Sequence, residues 1–338
     1  MSEHGSSFPL HEPTIQPRVS IVLPTFNAAG FLQAAIERLL EQSLPELEIV
    51  VVDDGSTDAT ALVGAGLASS YPRVRYFRLE PNGGVAAARA FGARKSHGEF
   101  IWFVDADDTA PPRAVERMLA AAQTTGADTV IGSAEVHSRK GIKMLASPHF
   151  PFPVSGTTAF NALLTGQITG HLWNKLFRRA VVERIDFTPA EVHSDLAMTG
   201  QLLIESRTVA TVSDVVYHYR LQSGSILSSG RRRDRSLRLL EDAFVGAAHL
   251  AKPSVIASRE FRYFVARYVV LSGIKDAVLY PYESGERRRI LQQLRRRLTV
   301  RAIGVILSQR DWRRLLLAVS AKLSVPLYRR LLKIADGS

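Results

Sequence analysis

Between residues 19 and 132 the chain alternates between two hydrophobic periods, and few folds accommodate that alternation. Short β-branched or aromatic runs occupy 19–23, 48–52, 74–79, 100–104 and 128–132. Helical patterns lie between them. Phe31, Ala35 and Leu39 recur at i, i+4, with Leu32, Ile36 and Leu40 beside them. Further patterns cover 57–70, 84–96 and 113–125. The strand runs are continuously apolar, as a sheet covered on both faces requires. Strand alternating with helix predicts an α/β sheet, largely parallel.

In such a sheet, ligands bind beyond the C-terminal ends of the strands. The first strand runs into Pro24-Thr25-Phe26-Asn27, and the second into Asp53-Asp54-Gly55-Ser56-Thr57-Asp58. The third is followed by Pro81-Asn82-Gly83-Gly84, and the fourth by Asp105-Ala106-Asp107-Asp108. All four segments fall at one edge, so at least five carboxylates crowd there. Like charges at that distance raise one another's pKa unless something neutralises them. A divalent cation does so economically. Oxygen ligands suit Mg²⁺ or Mn²⁺, with a phosphate-bearing ligand completing the shell. Asp58 and Ser56 read as helix caps. Capping does not account for Asp105 and Asp107, which end a buried strand. The stretch Gly64-Ala65-Gly66-Leu67-Ala68-Ser69 lies inside a helical pattern and lacks the last glycine of a dinucleotide fingerprint.

Beyond Gly141 the pattern loosens. Pro148, Pro151 and Pro153 mark a loop, and short strands are expected at 208–212 and 215–219. From about residue 231 only helical patterns remain, at 231–250, 254–279, 284–299 and 311–335. Charge changes at the same place. Residues 1–225 hold 19 Lys and Arg against 23 Asp and Glu, whereas 226–338 hold 24 against 9. We therefore expect three parts: a disordered leader (1–17), an α/β domain (18–228) and a basic helical region (229–338). The leader carries Glu3 and Glu12 and has no apolar core segment, unlike a secretory signal. No run reaches the roughly 18–20 uncharged residues of a membrane span. With no cysteine, a disulfide scaffold, a thiolate metal site and a cysteine nucleophile are excluded. The last helical pattern alternates Trp312, Leu316, Val319, Leu323, Leu327, Leu331 and Ile334 with Arg and Lys, and Pro326 should kink it. Such a basic amphipathic segment either packs on its neighbours or lies in an anionic membrane interface. The expected location is cytoplasmic, or peripheral on the inner face of the cell membrane.

The segments VSIVLPTFNAAGFLQAAIERLLEQS, EIVVVDDGSTDAT, EPNGGVAAARAFGARKSHGEFIWFVDADD, HLWNKLFRRAVV and VVYHYRLQSGSI together resemble the inverting glycosyltransferases of family 2, which build bacterial cell-surface polysaccharide or teichoic acid. The resemblance spans most of 18–228 and implies a GT-A fold, with the helical C-terminus outside it. It also implies a nucleotide-sugar donor, UDP-linked by preference, and an acceptor that is a glycan, a polyol phosphate or lipid-linked. No nucleic-acid partner is implied. Carried over residue by residue, Pro24 and Phe26, with Thr25 and Asn27, would line the nucleoside pocket. Asp54 would accept from the base or ribose. Asp105-Ala106-Asp107 would be the DxD motif, with Asp105 toward the ribose and Asp107 on the metal. Arg89 is either a phosphate contact or a surface helix residue. Asp195 aligns with the general base, but Ser194 stands where the family usually has Glu, and Ala90 where it usually has Asn. His193 or Glu191 would then have to supply what the missing Glu does. Trp173, Asn174 and Lys175 would shape the acceptor side together with His193 and Ser225. His218 would be a third metal ligand, or else a plain strand histidine.

Two other readings compete. A sugar-phosphate nucleotidyltransferase shares the nested nucleotide site but wants a basic residue in a Gly-rich loop near the N-terminus, and residues 24–30 hold no Lys or Arg. An inactive glycan-binding relative draws its support from Ser194, against the intact Asp105/Asp107 pair.

Overall fold

The computed structural model describes residues 16–139, 141–190, 192–221 and 234–336. Two compact units emerge. One comprises the chain to 159 with 170–189 and 194–223, and the other comprises 160–169, 190–193 and 224 onward. The expected leader, apart from Gln16 and Pro17, and the expected boundary at 228 lie outside the described residues.

The first unit follows the alternation in the sequence. β1 (Val19–Thr25), α1 (Leu32–Leu40), β2 (Leu47–Asp53), α2 (Thr60–Ser70), β3 (Val74–Arg78), α3 (Val85–Lys95), β4 (Phe100–Phe103) and α4 (Ala114–Thr125) come in order. Then come β5 (Thr129–Ser138), β6 (Gly141–Leu145), β7 (Val154–Ser155), α5 (Gly156–Thr165), β8 (Lys175–Arg178), α6 (Arg179–Val182), α7 (Ser194–Glu205) and β9 (Thr208–Arg220). The second half of α5 belongs to the other unit. The sheet order is β3-β2-β1-β4-β8-β5-β9-β7, with β6 on β5. β1 to β4 pair in parallel, and every residue of β2 is buried. The core draws on both faces. Ile21, Leu23, Ile49, Val51 and Trp102 lie on one side, with Val22, Ile101, Phe103 and Phe177 on the other.

The sheet is mixed because β8, not foreseen as a strand, runs antiparallel between β4 and β5. Its four residues, with Lys175 and Arg178 at the ends, hold too little apolar pattern to signal a strand. The two short strands expected at 208–212 and 215–219 are one strand, β9. Its register against β5 shifts at Ser133, and that bulge absorbs the polar Ser213-Asp214 step.

In the second unit, α8 (Asp234–Ala251), α9 (Pro253–Ile256), α10 (Arg259–Phe264), a π-helical turn (Val265–Leu271), α11 (Ser272–Leu279), α12 (Ser284–Arg297), α13 (Val300–Ser308), α14 (Trp312–Leu323) and α15 (Val325–Asp336) follow one another. The expected helix at 254–279 is interrupted where the Ser258 hydroxyl caps α10 by accepting from the Phe261 N–H. The expected helix at 311–335 breaks completely at Ser324 instead of kinking, two residues before Pro326. α13 was not expected. Tyr263, Val270, Ile274, Ile306, Ala318 and Tyr328 form this unit's core. Among the described residues, no helix is long and apolar enough to cross a membrane.

Candidate active site

The loops after β1 and β2 are knitted together. The Asn27 N–H donates to Ser56 Oγ (2.8 Å), and Asn27 Oδ1 accepts from the Thr57 N–H (2.9 Å). The side-chain bond holds Asn27 in the left-handed region (φ 52°), which asparagine tolerates. Asp58 does not cap α2, whose N-cap is Ala59; it accepts from the Thr60 N–H two residues on, as in an Asx turn. Ser56 instead gives its hydroxyl to Asp53 (2.5 Å). Thr25 is buried, while the Phe26 ring is 51% exposed at the rim.

Asp53 and Asp54 do different work. Asp53 is sealed in the sheet, accepting from Ser56 and from the Tyr76 hydroxyl (2.7 Å). Asp54 Oδ1 and Oδ2 accept from the Gly83 and Gly84 N–H groups, each at 2.8 Å. Its carboxylate therefore pins the turn that launches α3. Burial pushes Asp54 above the usual carboxylate range, against the two backbone bonds. A carboxylate has about four lone-pair sites, so acceptor capacity remains on Asp54.

Arg89 is not a surface helix residue, one of the two roles expected for it. It is neither on the surface nor at the rim. It is 3% exposed on the sheet side of α3, and its guanidinium joins two carboxylates. Nη1 lies 2.5 Å from Asp195 Oδ1 and Nη2 lies 3.0 Å from Asp105 Oδ1. The two anions raise the Arg89 pKa above its ordinary value, against the desolvation that opposes them. Burial, the largest effect on Asp105, raises its pKa, and Arg89 pulls it back down. No local pattern signals this link, because Arg89 and Asp195 are 106 residues apart. A guanidinium bridging two carboxylates exploits a fork that lysine lacks.

Asp195 opens α7 with a quarter of its side chain exposed. The Ser194 hydroxyl donates to the same oxygen, Oδ1, at 3.3 Å. His193, directly before α7, has a left-handed backbone (φ 67°).

Asp108, buried behind the DxD segment, accepts from the Tyr217 hydroxyl (2.9 Å) and the Arg220 N–H (2.7 Å). Tyr217 Oη in turn accepts from the Asp105 N–H. Burial, helped by Asp105 and Asp107, pushes Asp108 up to about 7. Sequence reading noted Asp108 only as one of a crowd. Asp107 is exposed at the strand end. Among the described residues, no group of three or more His, Asp or Glu is arranged to hold an ion alone. The exposed Asp107 still fits a magnesium- or manganese-type ion that draws its remaining ligands from phosphate and water. His218 points Nε2 toward Glu135 (3.6 Å), with its ring 5.4 Å from that of His137.

The residues expected on the acceptor side sit below the surface. Trp173 and Asn174 are 2% exposed and Lys175 is fully buried. Trp173 stacks between His171 (4.5 Å) and Tyr217 (4.7 Å), with Tyr219 at 5.4 Å. These three residues form a floor, while the half-buried His171 and Tyr219 face outward. Lys175 Nζ donates to His171 O (2.5 Å) and Asn174 Oδ1 (2.8 Å). Burial lowers Lys175 to about 7, and burial with Lys175 nearby lowers His171 to about 4. Glu191 and Ser225, the latter with all of 222–233, lie outside the described residues.

This arrangement has relatives. The chain is 28% identical over 292 residues to EpsH of Bacillus subtilis, named as a glycosyltransferase, covering 82% of this chain and 81% of EpsH. It is 25% identical over 284 residues to the cholesterol galactosyltransferase of Borreliella burgdorferi, covering 78% of this chain and 79% of that protein. Among solved structures it is similar to S. aureus TarS 1–349 in complex with UDP-GlcNAc. The TM-score is 0.68 at 19% identity, covering 95% of this chain and 92% of that one. The shared fold is GT-A, a mostly parallel sheet between helices, followed by a helical region. Residues 20–186, which carry Asp54, Arg89 and Asp105–Asp107, match the family described as Glycosyl transferase family 2; this stretch is a domain of that family, and the protein is a glycosyltransferase.

Proposed function

We propose that the protein transfers a sugar, with inversion, from a UDP-sugar to a hydroxyl of a cell-surface glycan, a teichoic-acid-like polymer or a lipid-linked acceptor. One observation carries this reading: Arg89 draws the strand-end Asp105 and the helix-start Asp195 onto a single cation. This supports a donor-side role for Asp105 and an acceptor-side role for Asp195 at one place in the first unit. UDP is favoured by the TarS complex with UDP-GlcNAc. A polymer or lipid acceptor is favoured by relatives named for teichuronic acid and succinoglycan biosynthesis and by the cholesterol galactosyltransferase.

In this reading Phe26 stacks on the base, Asp54 accepts from the base or ribose, and Asp105 faces the ribose. Asp107 holds Mn²⁺ or Mg²⁺, as favoured by a similar mannosyltransferase structure with GDP-Man and Mn²⁺. The ion, when bound, stabilises charge gathering on the departing diphosphate. Asp195 is turned by Arg89 and Ser194 so that Oδ2 meets the acceptor hydroxyl. It takes that proton as the oxygen attacks the anomeric carbon opposite the diphosphate. His171 and Tyr219 offer the acceptor an aromatic edge above the Trp173 floor. No covalent glycosyl-enzyme is required.

The test is UDP release from a panel of UDP-sugars with and without Mn²⁺, alongside calorimetric UDP binding. We expect Mn²⁺-dependent release and UDP binding, both lost in Asp107→Ala. UDP affinity indifferent to Mn²⁺ and to that substitution would remove Asp107 from the donor site.

A further inference from the structure

α14 is apolar on two opposite faces. Its inner face packs Ala318 and Ala321 into the core of the second unit, with Leu315 and Leu317 at the margin. Its outer face carries Trp312, Leu316, Val319 and Leu323, which are 64%, 55%, 37% and 70% exposed. At 100° per residue these four fall within roughly 60° of arc. A helix whose outward face meets only water is normally polar there. The stripe continues on α15, where Leu327 and Ile334 are exposed on one side with Arg330 between them in sequence.

Charge surrounds the stripe. Residues 284–338 contain fourteen Lys and Arg against three Asp and Glu. Arg313 and Lys322, both exposed, lie on either flank of the α14 stripe. Arg295 and Lys322 donate to each other's backbone carbonyls (2.9 and 3.0 Å), an arrangement that brings two cations together with no anion between them. α12 contributes Arg287, Arg288, Arg289, Arg295, Arg296 and Arg297 and buries none of its residues.

We infer that α14 and α15 lie in the interface of an anionic lipid bilayer. Trp312, Leu316, Val319 and Leu323 would sit among the acyl-chain ends, and Arg313, Lys322 and the α12 arginines at the headgroups. An apolar face ringed by cations matches such a surface in both respects. A second copy of the chain does not match it, because its own stripe carries the same cations. This inference is independent of which sugar is transferred or whether transfer is metal-dependent.

The chain contains its own reporter. Of its three tryptophans, Trp102 and Trp173 are 0% and 2% exposed while Trp312 is 64% exposed. We would add vesicles of phosphatidylcholine, with or without phosphatidylglycerol, to the full chain and read tryptophan emission and flotation. The expected result is a blue shift and co-flotation with phosphatidylglycerol vesicles only. The double substitution Leu316→Glu/Leu323→Glu should lower the bound fraction about tenfold, with an unchanged melting temperature because both side chains are exposed. Equal binding to both lipids overturns the electrostatic match. Undiminished binding by the double variant overturns the assignment to α14. Absence of binding, or a lipid-free dimer abolished by the double variant, overturns the bilayer in favour of no partner or of a second copy.

Discussion

Asp195 and Arg89 set the chemistry at the scale of single residues. Asp195→Asn keeps the shape and both anchoring contacts but cannot take a proton. Transfer should fall about 10²–10⁴-fold with donor affinity retained, measured by product formation beside calorimetry. Arg89→Lys places one ammonium where two parallel N–H forks stood. We expect kcat to fall about 10²-fold through misplacement of the base, with the melting temperature checked to separate this from unfolding. Asp195 was reached only through the resemblance, whereas Asp54, Asp105 and Asp107 were legible in the sequence as carboxylates that follow strands. The role of Arg89 was not, since local periodicity says nothing about which distant carboxylate a helix residue meets.

Among elements, α3 bears the greatest functional weight. It starts at the turn clamped by Asp54 and carries Arg89 on its buried side. Gly92, one turn further on, allows it to lie close to the sheet. A Cβ there would stand 2.5 Å from Val22 Cγ1 and 3.1 Å from Val52 Cγ2. Gly92→Ala should therefore cost about 1–3 kcal/mol by overpacking, seen as a lower urea midpoint. Because the helix must lift, it should also lower kcat. β1 to β5 were legible from continuous apolar runs. β8 was hidden by its charged ends and four-residue length, and the unity of β9 by the polar Ser213-Asp214 step. α13 was missed because Gly304 and Arg301 interrupt a short apolar run. These are short or locally ambiguous elements whose state is decided by tertiary partners.

Over the whole molecule, two buried titrations should shape stability in opposite directions. Asp108 has a folded pKa of about 7, above its ordinary carboxylate value. The native state then holds the proton more tightly, and this group's contribution falls as pH rises from about 4 to 7. Lys175 has a folded pKa of about 7, below the ordinary amine value of 10.5. Here the unfolded state binds more protons, and stability rises with pH from about 7 to 10.5. Melting temperatures across that range should lose the acid-side decline in Asp108→Asn and the alkaline rise in Lys175→Met. A profile unchanged in both variants would mean neither group is shifted as described. The division of the chain by charge was legible at this scale, while the transfer of 160–169 and 190–193 to the helical unit was not, because those segments carry no change in period.

A guanidinium shared between two anions cannot loosen its hold on one without altering its hold on the other. On the proposed reading, a nucleotide whose ribose settles on Asp105 brings its phosphates near the same cation, and Asp195 would respond before any acceptor is present. Such linkage is reciprocal by thermodynamic necessity. The arrival of the two substrates should accordingly be compulsory in sequence, donor ahead of acceptor, with UDP competing against the donor and not against the acceptor in steady-state product inhibition.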